Sequence, residues 1–294
     1  MKKIILWGLF SLTFSLYGTN SRAELLDTNK ARTNAFAIIA DSGKTTSNSK
    51  KVRDSIVRNK ISQLIMPGDN LYSSSYQNVW SPWQSVGMTF DLVAIGNHNS
   101  GYNNEVSFFK MPGEYYTKVI DGARFIVLNS DNTQTATSQI IWLDQVLSQS
   151  TESLVFLIYH HPTYTISQVH TWQEKANFQT SLRPILWKFR SKITALLLGH
   201  DHLASILHFN DLPVILSGAV QEVRKDKPVN NTQDGVMVQT SWYFDSTPHW
   251  AKLTWDSQSA QAEVQFIRAG DDVVTCTAIL GSNQKAQLQS DCSK

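Results

Sequence analysis

Met66-Pro67-Gly68-Asp69-Asn70-Leu71-Tyr72 closes an apolar run and then sets a carboxylate and a phenol three residues apart. Each oxygen of Asp69 can hold one cation, and Tyr72, one turn further on, can offer a phenolate, a donor suited to Fe(III). Gly-Asp-Asn after a strand is also the composition of an ordinary turn. The stretch therefore takes its meaning from what the chain places at other strand ends.

Five times an apolar run ends in side chains able to bind metal. Ala35 to Ala40 ends in Asp41-Ser42-Gly43, and Gln63 to Met66 leads into Asp69. Asp91 to Ile95 ends in Gly96-Asn97-His98-Asn99, Leu154 to Tyr159 in His160-His161-Pro162, and Ile193 to Leu198 in Gly199-His200-Asp201-His202. Open α/β sheets gather ligands at the carboxyl ends of their strands, where loops converge. A single histidine is by default a packed side chain. Here five of the eight, at 98, 160, 161, 200 and 202, stand in strand-end motifs, which points to a pair of cations.

Ser42-Gly43-Lys44-Thr45-Thr46 looks like the end of a phosphate-binding P-loop, but Ile38 stands where that motif needs its first glycine, which excludes an NTPase. Helical spacing covers Val52 to Lys60, Gln139 to Leu147 with Ile140, Leu143 and Leu147 on one face, and Trp172 to Arg190. Asp121-Gly122 between two apolar runs predicts a hairpin. Short strands follow near Ser205 to Phe209 and Val214 to Leu216. The tail alternates like antiparallel sheet from Trp250 onward. Ser73 to Thr89, carrying Trp80, Pro82 and Trp83, reads as a packed loop able to wall a pocket, as do Gly101 to Glu114 and Gln221 to Asp245.

With 294 residues, 41% hydrophobic and 17% charged, the chain suits one large domain, residues 24–294. Residues 1–23 read as a secretory leader: Lys2 and Lys3, an apolar stretch from Ile4 to Tyr17, then Ser21-Arg22-Ala23 as the cleavage site. The stretch is shorter than the roughly 20 residues of a membrane span. The expected location is periplasmic or secreted. Without Lys2, Lys3 and Arg22 the 26 basic residues become 23 against 24 acidic ones, a net charge of −1, and no basic block argues for nucleic acid or stable membrane insertion. Cys276 and Cys292, the only cysteines, read as one local disulfide in an exported chain. A monomer is expected.

The order and wording of Asp41-Ser-Gly, Gly68-Asp-Asn-Leu-Tyr72, Gly96-Asn-His98, His160-His-Pro and Gly199-His-Asp-His202 resemble the calcineurin-like metallophosphoesterases. Within them the match is to purple acid phosphatases of the small, tartrate-resistant type, from about Ala35 to Ile267. Leu182-Arg-Pro-Ile-Leu186 and Leu216-Ser-Gly-Ala219 look like that subgroup too.

The resemblance implies an α/β fold, a four-layer αββα sandwich of two mixed sheets flanked by helices. It implies one metal held by Asp41, Asp69, Tyr72 and His202, and a second held by Asp69, Asn97, His160 and His200, with Asp69 bridging. The phenolate favours Fe(III) at the first, and the more neutral second set suits Fe(II), Zn(II) or Mn(II). His161 is left as a supporting or merely packed residue. The implied activity is a metal-dependent phosphoric ester hydrolase, a two-metal acid phosphatase in which a metal-activated hydroxide attacks phosphorus. His98, with Asn97, faces the phosphate and donates to it or to the leaving oxygen, and His170 assists or lies in a solvent-exposed loop.

Two positions depart from the family pattern. Asn99 replaces an acid, leaving His98 without a neighbouring carboxylate, and Ala40 replaces a glycine. A phosphodiesterase or nucleotidase with the same metals is the alternative reading, and a non-catalytic metal-binding surface protein is a third.

Overall fold

The computed structural model describes residues 35–224, 230–244, 246–282 and 284–292, so the expected leader, residues 1–23, lies outside the described residues. In chain order the first elements are β1 (Ala35–Ile38), α1 (Ser47–Arg58), β2 (Gln63–Pro67), α2 (Tyr76–Gln84), β3 (Thr89–Ala94) and α3 (Tyr102–Phe109). Next come β4 (Tyr116–Ile120), β5 (Ala123–Val127), α4 (Ala136–Gln149), β6 (Leu154–Ile158), a 3-10 turn at Trp172–Lys175, α5 (Ala176–Lys188) and β7 (Ala195–Leu198). The remainder is β8 (Ala204–Phe209), β9 (Leu212–Ser217), β10 (Asn231–Gln233), β11 (Val236–Phe244), β12 (His249–Asp256), β13 (Gln261–Arg268), β14 (Val274–Leu280) and β15 (Gln287–Leu288).

One sheet has the order β15-β14-β13-β12-β1-β2-β3 and the other β10-β11-β8-β9-β7-β6-β5-β4. Both are mixed. β1, β2 and β3 run parallel, as do β5, β6, β7 and β9, while β12 joins β1 antiparallel, Phe36 opposite Leu253. The all-apolar strand β6 shows why the sequence demands layers on both faces. Leu154, Phe156 and Ile158 join the core between the sheets. Val155 and Leu157 join a second core with Leu143 and Leu147 of α4 and Phe178, Leu182 and Leu186 of α5. Val52 and Ile56 of α1, Trp80 of α2 and Phe109 of α3 belong with the first core. The result is the expected sandwich of two mixed sheets flanked by helices.

Three stretches differ from the sequence reading. Ser73 to Thr89 is no loop: Ser75 caps α2 by accepting from the amide of Asn78 at 3.2 Å, and Tyr76, Val79, Trp80 and Trp83 are buried along it. Pro82, which argues against a helix interior, is tolerated because that apolar face holds the short helix to the core. Gly101 to Glu114 contains α3, and the described part of Gln221 to Asp245 contains the hairpin β10–β11, closed by Asp234-Gly235 at φ 48° and 77°. The same Asp-Gly chemistry turns β4 into β5, with Asp121 at φ 43° and Gly122 at φ 75°.

Cys276 of β14 is bonded to Cys292, tying the final segment to the sheet. Among the described residues no helix is long and apolar enough to cross a membrane.

Phe125 of β5 bridges the sheets, its ring 5.2 Å from both Phe156 and Trp255. Phe125→Ala is expected to cost about 3–5 kcal/mol through lost burial and a residual cavity, read as a lower urea midpoint with an unchanged denaturant slope.

Candidate metal centre

The carboxyl ends of β1, β2, β3, β6 and β7 carry the five motifs, and the backbone between them is cross-tied. The amide of Asp41 donates to the carbonyl of Gly68 at 3.1 Å, and that of Gly43 to the carbonyl of Asp69 at 3.0 Å. Asp41, Asp69, His200 and His202 all sit in the left-handed region, at φ 51°, 58°, 73° and 54°. A residue with a Cβ is held there only when its surroundings over-determine it, and such positions cluster at functional sites. Gly96 supplies part of that constraint: a Cβ on it would lie 2.2 Å from Asp69 Oδ1.

Four donors meet at one point. The Tyr72 hydroxyl donates to Asp69 Oδ2 at 2.8 Å and lies 3.3 Å from Asp41 Oδ1 and 3.1 Å from His202 Nε2. Cis donors around an octahedral cation with bonds of about 2.0–2.1 Å stand roughly 2.9 Å apart, so the set has the spacing of a coordination shell. Asp41, Asp69 and His202 each present a ligand atom within 4.8 Å of the others. Burial raises Asp41 well above the usual carboxylate range despite the opposing pull of His160, and Asp69 pushes it the same way. Burial and the charges of Asp41 and Asp69 likewise drive the Tyr72 phenol up. These are the repulsions that a cation among the three oxygens turns into attractions.

The second group surrounds His160, which is wholly buried. Its Nδ1–H donates to the carbonyl of Pro67 at 2.9 Å, which directs Nε2 to within 3.1 Å of Asp69 Oδ1. Nε2 has no hydrogen-bond partner among the described residues. Burial works against a proton on His160, but Asp69 and Asp41 outweigh it and lift the ring to about 9. Asp69 itself is pushed up by burial and brought below the carboxylate range by His160 and the backbone N–H of His98.

His200 Nε2–H donates to Glu174 Oε2 at 2.9 Å, leaving Nδ1 as the lone-pair nitrogen. Burial holds His200 and His202 down at about 3, neutral as metal ligation requires. His161 pairs Nδ1 with the Ser130 hydroxyl at 2.8 Å, and a ligand nitrogen of His161 lies within 4.8 Å of those of His160 and His200.

The rim carries the remaining expected residues. The His98 ring stacks on Tyr72 at 4.2 Å, and the backbone N–H of His98 donates to Asp69 Oδ1 at 2.8 Å. Asn97 follows Gly96 and is exposed, the one expected ligand left open to solvent. Asn99, standing where the family has an acid, spends both ends of its amide inside its own loop, donating to the carbonyl of Gly96 and accepting from the amide of Gly101, each at 2.7 Å. The His170 ring lies 4.0 Å from that of His200.

Two carboxylates absent from the sequence reading complete the surroundings. Glu174 Oε1 accepts from the amide of Thr171 at 3.0 Å and faces His170 Nδ1 at 3.2 Å, so one side chain ties His170 to His200. Thr171-Trp-Gln-Glu174 is a legible capping box, but it announces only a helix start. Glu105 is buried on α3, accepting from Asn70 Nδ2 at 2.6 Å and the Tyr76 hydroxyl at 2.8 Å. It clamps the backbone between Asp69 and Tyr72, and no motif marks it.

No protein-family profile matches the chain. It is 25% identical to a probable purple acid phosphatase of Arabidopsis thaliana over 57% of its own length, and spans 45% of that relative. Its structure superposes on GAP50, the anchor in the inner membrane complex of Plasmodium, with a TM-score of 0.67 at 16% identity, over 86% of this chain and 90% of that one. PhoD gives a TM-score of 0.57 at 11% identity, over 88% and 73%. At those identities the structural likeness shows the fold alone. The chain thus has the metallophosphoesterase fold. In sequence it is similar to the purple acid phosphatases.

Burial raises Glu105 to about 7. Its contribution is therefore fully present below its unfolded pKa of roughly 4.5 and is lost as pH rises through about 7. Glu105→Gln is expected to gain stability relative to the parent across that window, on the order of 2 kcal/mol. Urea unfolding of the metal-free proteins at pH 4.5, 6 and 7.5 checks this, and a constant difference refutes it.

Proposed function

We propose that the protein is an exported phosphatase, a metal-dependent hydrolase of phosphate monoesters, built as one domain from residue 24 onward and acting as a monomer. The observation that carries this reading is the Tyr72 hydroxyl, within 3.3 Å of Asp41, Asp69 and His202 at once. Asp41, Asp69, Tyr72 and His202 hold Fe(III). Asp69, Asn97, His160 and His200 hold Fe(II), Zn(II) or Mn(II). When bound, the pair supplies Lewis acidity toward the phosphoryl oxygens and lowers the pKa of water.

The chain's own residues do the rest. The Pro67 carbonyl aims His160, and Glu174 aims His200, each fixing which ring nitrogen carries the proton. His98, exposed and stacked on Tyr72, is free to donate to a phosphate oxygen or to the leaving oxygen on the open side. His170, held 3.2 Å from Glu174, would assist the departing group. The Cys276–Cys292 disulfide fits an oxidising compartment outside the cytoplasm.

A phosphodiesterase or nucleotidase uses the same groups with different walls. A scaffold without turnover is a further reading, favoured by one observation: the fold is shared with a protein described as an anchor.

Purified with iron, the protein is expected to show a broad visible phenolate-to-iron band that vanishes in Tyr72→Phe. It is expected to hydrolyse aryl monoesters at least tenfold faster than bis-aryl diesters. Two bound metals with no turnover of any phosphate ester would establish the scaffold instead.

A further inference from the structure

His161 is buried, and its Nε2 has no hydrogen-bond partner among the described residues. Its other nitrogen is accounted for. Nδ1 lies 2.8 Å from the hydroxyl of Ser130, a residue just beyond the neighbouring parallel strand β5. The same hydroxyl accepts from the backbone N–H of His161 at 3.1 Å, so one oxygen fixes both the backbone and the ring. Buried polar atoms are normally paired, and an exception asks for a physical reason.

The neighbours of His161 supply one. A ring nitrogen of His161 lies within 4.8 Å of ligand nitrogens of His160 and His200, the two imidazoles placed on the second cation above. The His161 ring centre is 4.8 Å from that of His160, edge to face, and 4.5 Å from that of His200. A histidine that binds metal is steered by a hydrogen bond on its other nitrogen. His160 is steered in this way by the Pro67 carbonyl and His200 by Glu174. Ser130 stands in the same relation to His161: a proton on Nδ1 that is donated to this hydroxyl leaves the lone pair on Nε2. The three rings thus share one pattern, a nitrogen held by a protein oxygen and a second nitrogen left for a ligand. Asn97, by contrast, is exposed.

We infer that His161 is a further ligand of the second cation, bound through Nε2 alongside Asp69, His160 and His200. This rests on the two-metal reading above and deepens it, because the second site becomes richer in nitrogen than the strand-end motifs imply. Imidazole suits zinc and iron, whereas manganese favours oxygen donors. The second site therefore selects Zn(II) or Fe(II) over Mn(II).

The test reads the metal itself. The full chain, with iron at the first site and zinc at the second, is compared with His161→Ala and with Ser130→Ala, which keeps the ring and removes the oxygen that steers it. Zinc-edge X-ray absorption is expected to show three imidazoles on zinc in the parent and one fewer in His161→Ala. Zinc affinity, measured by competition with a chromophoric chelator, is expected to fall about tenfold in Ser130→Ala and by at least that in His161→Ala. Manganese affinity is expected to fall less, so that the preference for zinc narrows. Two imidazoles on zinc in the parent overturn the inference and leave the two-metal reading intact, and that measurement decides even if His161→Ala does not fold. Equal losses of zinc and manganese affinity in His161→Ala also overturn it. A parent that binds fewer than two cations overturns both. Three imidazoles on zinc in a parent that hydrolyses no phosphate ester refute the phosphatase and keep His161 as a ligand.

Discussion

Two buried carboxylates facing one another are the constraint from which the rest of the structure follows. Asp41 is wholly buried and Asp69 almost so, and among the described residues neither is paired with a lysine or arginine. A charge taken out of water is tolerated only with a partner. Here the partners on hand are imidazoles, a phenol and backbone amides. Everything nearby has the form of an answer to that problem: the amide of His200 donating to Asp41, the amide of His98 and the ring of His160 against Asp69, and Tyr72 reaching across both. The coordination shell and the folding problem are the same set of atoms.

The two sheets contribute unequally. The loops after β1 and β2 deliver the oxygen donors, Asp41, Asp69 and Tyr72, while the loops after β6 and β7 deliver the imidazoles of His160, His200 and His202. A centre that draws hard donors from one sheet and nitrogen donors from the other exists only when the sandwich is closed. Supporting carboxylates then lock each half: Glu105 holds the loop after β2 through Asn70, and Glu174 holds the loop after β7 through His200. Their positions in helical segments explain why the loops keep their geometry so far from regular structure.

Much of this was legible in the sequence. Strand ends betray themselves, because an apolar run that stops at Asp, Asn or His names both the element and what it presents, and all five such runs end at the same edge. What escaped reading has a physical reason in each case. The α2 helix was hidden by Pro82, a residue whose local preference was overridden by the burial of Trp80 and Trp83. The hairpin at Asp234-Gly235 carries the same turn signal as Asp121-Gly122, but the polar residues around it mute the alternation that made the earlier one plain. Glu105 stands alone in its segment, and the capping box that contains Glu174 marks only a helix start. A single acid has no pattern, and only the folded chain shows what it touches. Asn97 marks the opposite limit: the motif names it, yet it stands at the surface rather than packed with the others.

The left-handed backbone at Asp41, Asp69, His200 and His202 has an evolutionary side. Each of these positions is more comfortable as glycine or asparagine than as the residue it holds, so drift away from chemistry relaxes the chain rather than straining it. A lineage carrying this sandwich can fall silent in a single step and keep its shape, leaving a sturdy surface for other uses.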